Sequence, residues 1–238
     1  MKPFLLLPLV IALPAFAGTS AKEVIAPPVE PCLVSWFAGG SVGYLTELEE
    51  PMYNLHAGMS NSCWNLAGWN MSLFAEVGYT QKDEDYRGRE DYSNDGKNKV
   101  MRYRNSYSVD EMGQALQEVA DYSGHSTSYD LDIIPITANV KFERAITGNL
   151  NAYFGGGLGM ARVGLDLNYE RNYSDSDWVF YSQVFGGLGY NVTPNIEVYG
   201  GARWIYMSDA DFGDDRGANA TLELGSDCLL ELGARFKF

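Results

Sequence analysis

The chain has 238 residues, 46% of them hydrophobic and 13% aromatic, with 26 Gly, 16 Tyr and a formal net charge of −14. That acidity excludes nucleic acid as a partner, because phosphate binding needs a basic surface. No run reaches the roughly 18 apolar residues a membrane-crossing helix requires, and one domain is the expectation for this length.

The chain opens with the short basic stretch Met1-Lys2-Pro3, an apolar run from Phe4 to Leu13, and the small-x-small sequence Ala15-Phe16-Ala17. This is the pattern of a signal peptide over 1–17, with export and a mature start at Gly18. Residues 18–32 are Pro-rich and unpatterned, a flexible leader before a single domain over 33–238.

From Leu33 onward the sequence alternates with period two, the signature of strands with two unlike faces. The first predicted strand, Leu33 to Leu45, sends Val34, Trp36, Val42 and Tyr44 outward. The second, Tyr53 to Ser60, sends Tyr53, Leu55, Ala57 and Met59 outward and Asn54 and His56 inward. The third, Asn70 to Thr80, has Leu73, Val77 and Tyr79 out and Glu76 in. Residues 81–127 are long, polar and Tyr-rich. Within them Ser108 and Glu111 fit a capping box, and Val109, Met112, Leu116 and Val119 recur at helical spacing, which predicts a helix over Val109 to Ala120. The alternation from Val100 to Ser108 is also readable as a hairpin extension.

The fourth strand, Ser128 to Glu143, has Ile134, Ile136, Ala138, Val140 and Phe142 out and Thr137, Asn139, Lys141 and Glu143 in. The fifth to seventh cover Leu150 to Leu165, Trp178 to Tyr190 and Asn195 to Met207. The eighth runs unbroken from Ala220 to Phe238, with Leu222, Leu224, Cys228, Leu230, Leu232, Ala234, Phe236 and Phe238 on its greasy face. Connections after strands one, three, five (Asp166 to Asp177) and seven (Ser208 to Asn219) are long or acidic. Those after four and six are tight turns, and Asn61 to Trp69 is intermediate. Long loops on one side, short turns on the other and an even strand count describe an all-β, closed antiparallel up-and-down transmembrane β-barrel of eight strands, with one long extracellular loop carrying a short helix. Eight strands leave a lumen filled by side chains rather than a wide pore.

The ending LLELGARFKF resembles the closing strand of bacterial outer-membrane β-barrels. IPITANVKFE (Ile134 to Glu143) and NAYFGGGLGMA (Asn151 to Ala161) resemble the opacity-like and OmpA-like members of that group. The resemblance implies an outer-membrane location, with the N-terminus periplasmic and the long loops extracellular. It also implies outer-membrane lipid and lipopolysaccharide as surroundings. The assembly machinery would read Phe238, Phe236, Leu232 and Leu230, with Ala234 a small departure. Pro135 is expected to sit at a bulge on the same ground.

The inward charges are Glu76, Lys141, Glu143, Glu197, Arg203, Asp227, Glu231, Arg235 and Lys237. Confined together, they are expected to pair, because an unpaired buried charge is costly. His56 reads as an interior hydrogen-bonding residue. His125, near Ser126 and Ser128, calls up the lipid A acyl-chain hydrolases, but their His-x-Ser spacing finds Thr127 instead. Asp209, Asp211, Asp214 and Asp215 lie in one loop without the spacing of a calcium-binding loop. Gly155-Gly156-Gly157 and Gly186-Gly187 complete no phosphate or dinucleotide motif, so no cofactor is expected. Three cysteines in an oxidising compartment leave one odd. The topology brings Cys32 and Cys63 together at the periplasmic end as a disulfide and leaves Cys228 free, facing lipid. The function read from all this is a non-enzymatic barrel anchoring surface loops in a structural, adhesive or interaction role, with an extracellular ligand held through residues 81–127. The alternatives are an outer-membrane lipid A acyl hydrolase and a narrow channel.

Overall fold

The computed structural model describes residues 32–86, 106–123, 127–169, 171–213 and 219–238. The predicted signal peptide and almost all of the leader, most of the long loop, His125, Ser126, Asp214 and Asp215 lie outside the described residues.

Twelve elements follow one another: β1 (Val34–Leu45), β2 (Pro51–Leu66), β3 (Trp69–Tyr86), β4 (Ser106–Ser108), α1 (Val109–Ser123), β5 (Thr127–Ala145), β6 (Leu150–Tyr169), β7 (Arg171–Asn191), β8 (Ile196–Met207), β9 (Ala210–Gly213), β10 (Asn219–Glu223) and β11 (Gly225–Lys237). Eight of them close into one antiparallel ring in the order β1-β11-β8-β7-β6-β5-β3-β2. The seam is the β1–β11 ladder, which runs from Phe37 opposite Lys237 to Leu45 opposite Leu229. Trp36 and Phe238 extend it by exchanging two backbone hydrogen bonds of 2.9 Å. The fold is therefore a closed eight-stranded up-and-down barrel with a helix in one connection.

The wall is uneven. β3, β5, β6 and β7 have 18, 19, 20 and 21 residues, whereas β1, β8 and β11 have 12, 12 and 13. Over the shorter strands sits a small second sheet in the order β4-β10-β9. That end of the barrel, which also bears the β1–β2 loop and α1, is the cap end. The opposite end carries the short turns at Ile146 to Leu150 and Val192 to Ile196, each tightened by hydrogen bonds across its base.

Four sequence expectations change. The eighth strand is not continuous: Gly225 has φ +64°, the chain turns there, and Leu222 is buried (3% exposed) rather than outward. β10 leaves the barrel and pairs parallel with β4. Pro135 makes no bulge. The register with β3 is the same from Asn70–Glu143 to Tyr86–Thr127, and only the pairs facing Ile134 and Pro135 are missing, where the imide has no N–H to give. The connections at 61–69 and 166–177 are largely strand. β2 and β3 meet at the two-residue turn Ala67-Gly68 (φ 53° and 85°), the geometry that favours tight hairpins. β6 and β7 pair out to Tyr169 and Arg171. The helix runs to Ser123 rather than Ala120.

Curvature this tight needs close backbones at one place. Gly187 and Gly201 are register partners, and a Cβ on either would lie 2.6 or 2.7 Å from the Tyr153 hydroxyl. Their bareness lets the Tyr153 ring lie across the lumen.

Cys32 and Cys63 form a disulfide with Cα atoms 5.4 Å apart, tying the start of β1 to the far part of β2. Cys228 is free and exposed. Alkylation of the unreduced, denatured protein is accordingly expected to add a single label, and reduction to expose the other two thiols to the reagent. Labelling of all three without reductant, read by intact mass, would contradict the bond.

Candidate functional site

Two chemically distinct layers fill the lumen, and the cap closes one end. Each layer follows from which residues the pleat turns inward.

The layer nearer the turn end is ionic and aromatic. Arg203 on β8 is 4% exposed and makes two parallel bonds to Glu76 on β3, one of them 3.2 Å long. It also donates to Glu231 on β11 at 3.0 Å and to the Gln183 side-chain carbonyl at 2.6 Å. Ser41 donates to the same Glu231 oxygen at 3.0 Å. Gln183 gives its amide N–H to Glu76 at 3.1 Å and to Asn139 at 2.6 Å. One guanidinium thus neutralises two carboxylates, Glu76 across the ring and Glu231 on the neighbouring strand, and its bidentate bond to Glu76 is the geometry that makes Arg suited to buried pairs. Below it, Arg235 bonds Glu197 at 3.3 Å, Lys237 pairs with the same Glu197, and Lys141 pairs with Glu143. The Arg235 guanidinium lies 4.7 Å from the Phe37 ring centre and 5.2 Å from that of Tyr199. Buried Phe37, Phe74, Tyr153, Phe185 and Tyr199 surround these charges.

His56 is 5% exposed and held among the rings of Phe37, Phe74 and Tyr199, 5.7 to 6.2 Å between centroids. Its Nε2 takes a long 3.5 Å bond from Arg235. Asp227 stands outside the ionic network. Its carboxylate accepts the backbone N–H groups of Thr46, Glu47 and Leu48 at 2.9 to 3.0 Å and the Thr46 hydroxyl at 3.1 Å. It therefore shapes the β1–β2 loop and turns Leu48 inward. Sequence reasoning missed Gln183, Tyr153, Phe185 and Tyr199. Each lies in the phase opposite Val184, Phe154 or Val198, all of which face outward, and that alternation was the available signal.

The layer nearer the cap is apolar. Met52, Leu131, Ile133, Val163, Val179, Ile205 and Leu229 are among its fully buried members. α1 closes it from above with Val109, Met112 and Leu116, and β10 adds Leu222. The first turn of α1 is fixed reciprocally: Ser108 Oγ accepts the Glu111 N–H and a Glu111 carboxylate oxygen accepts the Ser108 N–H, both at 3.3 Å. Lys82, 8% exposed, reaches the Leu48 carbonyl at 3.2 Å.

The exterior shows the complementary pattern. Around the turn half it is apolar: Leu55, Ile136, Leu158, Val184, Leu188 and Leu232 are all exposed. Phe236 and Phe238 stack 6.1 Å apart on the same outer face as Leu230 and Leu232. A line of register partners, with Tyr53 against Tyr79 and Ile134 against Arg162, which in turn faces Trp178, marks the change. Beyond it, Gln81, Asp83, Asp85, Asp130, Asp166, Ser174 and Ser176 face outward and are exposed. Inside and outside thus exchange polarity part-way up the wall.

Asp211, one of the acidic-loop candidates, accepts the Thr221 hydroxyl at 2.7 Å and gives its N–H to Asp177 at 2.9 Å. Among the described residues no three His, Cys, Asp or Glu side chains converge as a metal site.

No protein-family model matches the chain, and no curated protein matches it in sequence. Among solved structures, Neisserial surface protein A is similar at 17% identity and a TM-score of 0.46, over 86% of this chain and 97% of that one. A major outer membrane protein from Thermus thermophilus is similar at 12% identity and a TM-score of 0.49, over 87% and 100%. Ail, the attachment invasion locus protein of Yersinia pestis, in complex with the heparin analogue sucrose octasulfate, is similar at 14% identity and a TM-score of 0.43, over 86% and 97%. Similarities at this level transfer no role to any residue described above.

Replacing Arg203 with Met leaves the buried Glu76 and Glu231 without their shared counter-charge and is expected to destabilise the barrel by about 3–5 kcal/mol. The triple variant Arg203→Met, Glu76→Gln, Glu231→Gln is expected to recover most of that loss, because no charge is then left alone. Urea unfolding in lipid vesicles, followed by Trp fluorescence, measures both.

Proposed function

We propose that the protein is an integral barrel of a bacterial outer membrane, closed to transport, whose role is to hold a folded acidic cap outside the cell for interaction or adhesion. The observation that supports this is the exchange of polarity along the wall. Where the outside is apolar and the inside charged, the barrel suits lipid. Where the outside is acidic and the inside aliphatic, it suits water, like any soluble core. Strands of 18 to 21 residues in β3 and β5 to β7 are about twice the 9–11 needed to cross a bilayer, so half their length stands clear of it. Tyr53, Tyr79 and Trp178 lie at the transition, where amphipathic rings favour the lipid–water boundary.

On this reading the turn end and the N-terminal leader are periplasmic. Lipid and lipopolysaccharide contact the apolar belt, and Phe238, Phe236, Leu232 and Leu230 present the alternating face that barrel-assembly machinery reads. The cap and residues 81–127 are the interaction element, since loops on a rigid scaffold carry function. Its carboxylates, among them Glu47, Asp83, Asp110 and Glu223, favour a basic protein surface as partner. The channel alternative is disfavoured by two successive layers of packed side chains. The acyl-hydrolase alternative rests on His125 and Ser126, which lie outside the described residues; the described histidine, His56, meets Arg235, Glu76 and aromatic rings rather than a hydroxyl.

Two cysteine variants in a Cys228→Ser background test the topology. Asp110→Cys is expected to react with a membrane-impermeant maleimide on intact cells, and Thr193→Cys only after permeabilisation. The reverse result would invert the barrel and place the cap inside. In planar bilayers the purified protein is expected to give no steady conductance, and a stable open level would refute the closed lumen.

A further inference from the structure

The apolar layer is not solid. Between it and α1 lies a cavity of about 140 Å³. Protein cores rarely leave voids much larger than a water molecule, and an aliphatic cavity of about 150 Å³ accommodates a benzene ring. The walls are the buried side chains of Leu45, Met52, Ile133 and Ile205, with Val109 of α1 on the cap side. Tyr181 also lines the cavity. That residue is 1% exposed, and its hydroxyl meets no hydrogen-bond partner. The other buried polar groups of the lining are committed: Thr80 donates to the Pro51 carbonyl at 2.9 Å, and Asp227 is held by the amides of the β1–β2 loop. A buried hydroxyl left alone is destabilising, and a guest that bonds it removes that penalty. The exposed members of the lining include Glu47, Asp110 and Glu223, so the rim is acidic and repels anions.

We propose that this cavity is a binding site for a small uncharged molecule, about one aromatic ring in size, carrying a single hydroxyl that pairs with Tyr181. It extends the proposed function, because α1 forms one wall and an occupant would bear directly on the cap. The cavity does not depend on the membrane topology, so the reading above can fail while this one stands.

Phenol, toluene and benzoate are the probes, added to the full-length protein in lipid nanodiscs with ¹³C-methyl methionine. Met52 and Met207 line the cavity, whereas Met160 faces outward and reports partition into lipid. Phenol is expected to shift Met52 and Met207 saturably, and benzoate to bind about tenfold more weakly or not at all. Tyr181→Phe is expected to weaken phenol about fivefold, the worth of one neutral hydrogen bond, and to leave toluene within about twofold. Val109→Phe, which fills the cavity from the helix, is expected to abolish both. The proposal is overturned if Met52 and Met207 respond no more than Met160, if Val109→Phe leaves binding intact, or if Tyr181→Phe weakens phenol and toluene alike.

Discussion

An eight-stranded ring has an interior only just wide enough for its own side chains to fill, and the protein solves that constraint twice along one axis. Near the turn end it fills the space with charges that cancel and rings that separate them. Near the cap it fills the space with aliphatic groups. The first solution depends on Arg203, which reaches Glu76 on the opposite wall and joins it to Glu231 and Gln183 on the two strands beside its own. Remove that centre and the strands facing one another across the lumen lose the interaction that neutralises them together. Buried ion networks of this kind are not strong sources of stability in themselves. Their value here is that like carboxylates on β3 and β11 can share one small volume.

The second solution makes the cap part of the barrel rather than an appendage. Leu48 is drawn in because Asp227 gathers the amides of the loop that carries it. Leu222 is drawn in because the chain turns at Gly225 and sends β10 away from the wall. Val109, Met112 and Leu116 come from a helix inserted between β3 and β5. Three separate connections thus contribute to one apolar cluster, and the short strands β1, β8 and β11 stop where those contributions begin. The height of the wall and the folding of the cap are two aspects of the same packing.

The barrel itself was readable because period-two alternation is strong wherever the two faces of a strand meet unlike surroundings. Strand number, most inward charges and the cysteine pair come from that pattern and from the sorting of long and short connections. What alternation read in a single phase could not reveal was the point where the two faces exchange chemistry. The sequence does mark it, as neighbouring apolar residues: Ile133-Ile134, Leu229-Leu230 and Val179-Phe180, in each of which the first is buried and the second faces out. Reading the greasy phase straight through Leu229-Leu230 put Leu222 outside, and reading the polar run from Asp166 as a connection ended β6 too early. Asp227 looked like one more lumen charge because a carboxylate's partners are set by which loop passes it, and loop paths are not written in the local pattern. The bulge expected at Pro135 failed for a simpler reason: a missing N–H removes a hydrogen bond without obliging the chain to gain a residue.

The covalent tie between Cys32 and Cys63 has a consequence for how the ring comes together. It joins two strands that are already sequence neighbours and leaves the β1–β11 junction to non-covalent contacts. Once oxidised, β1 and β2 travel as a single hairpin, and β1 cannot shift its register on one side without dragging the other. The closing partner must then find a preset edge, so β11 docks against a template whose alignment has already been decided. Reduction would return that freedom to β1 and allow the last junction to close out of step, with every side chain of one strand turned to the wrong face.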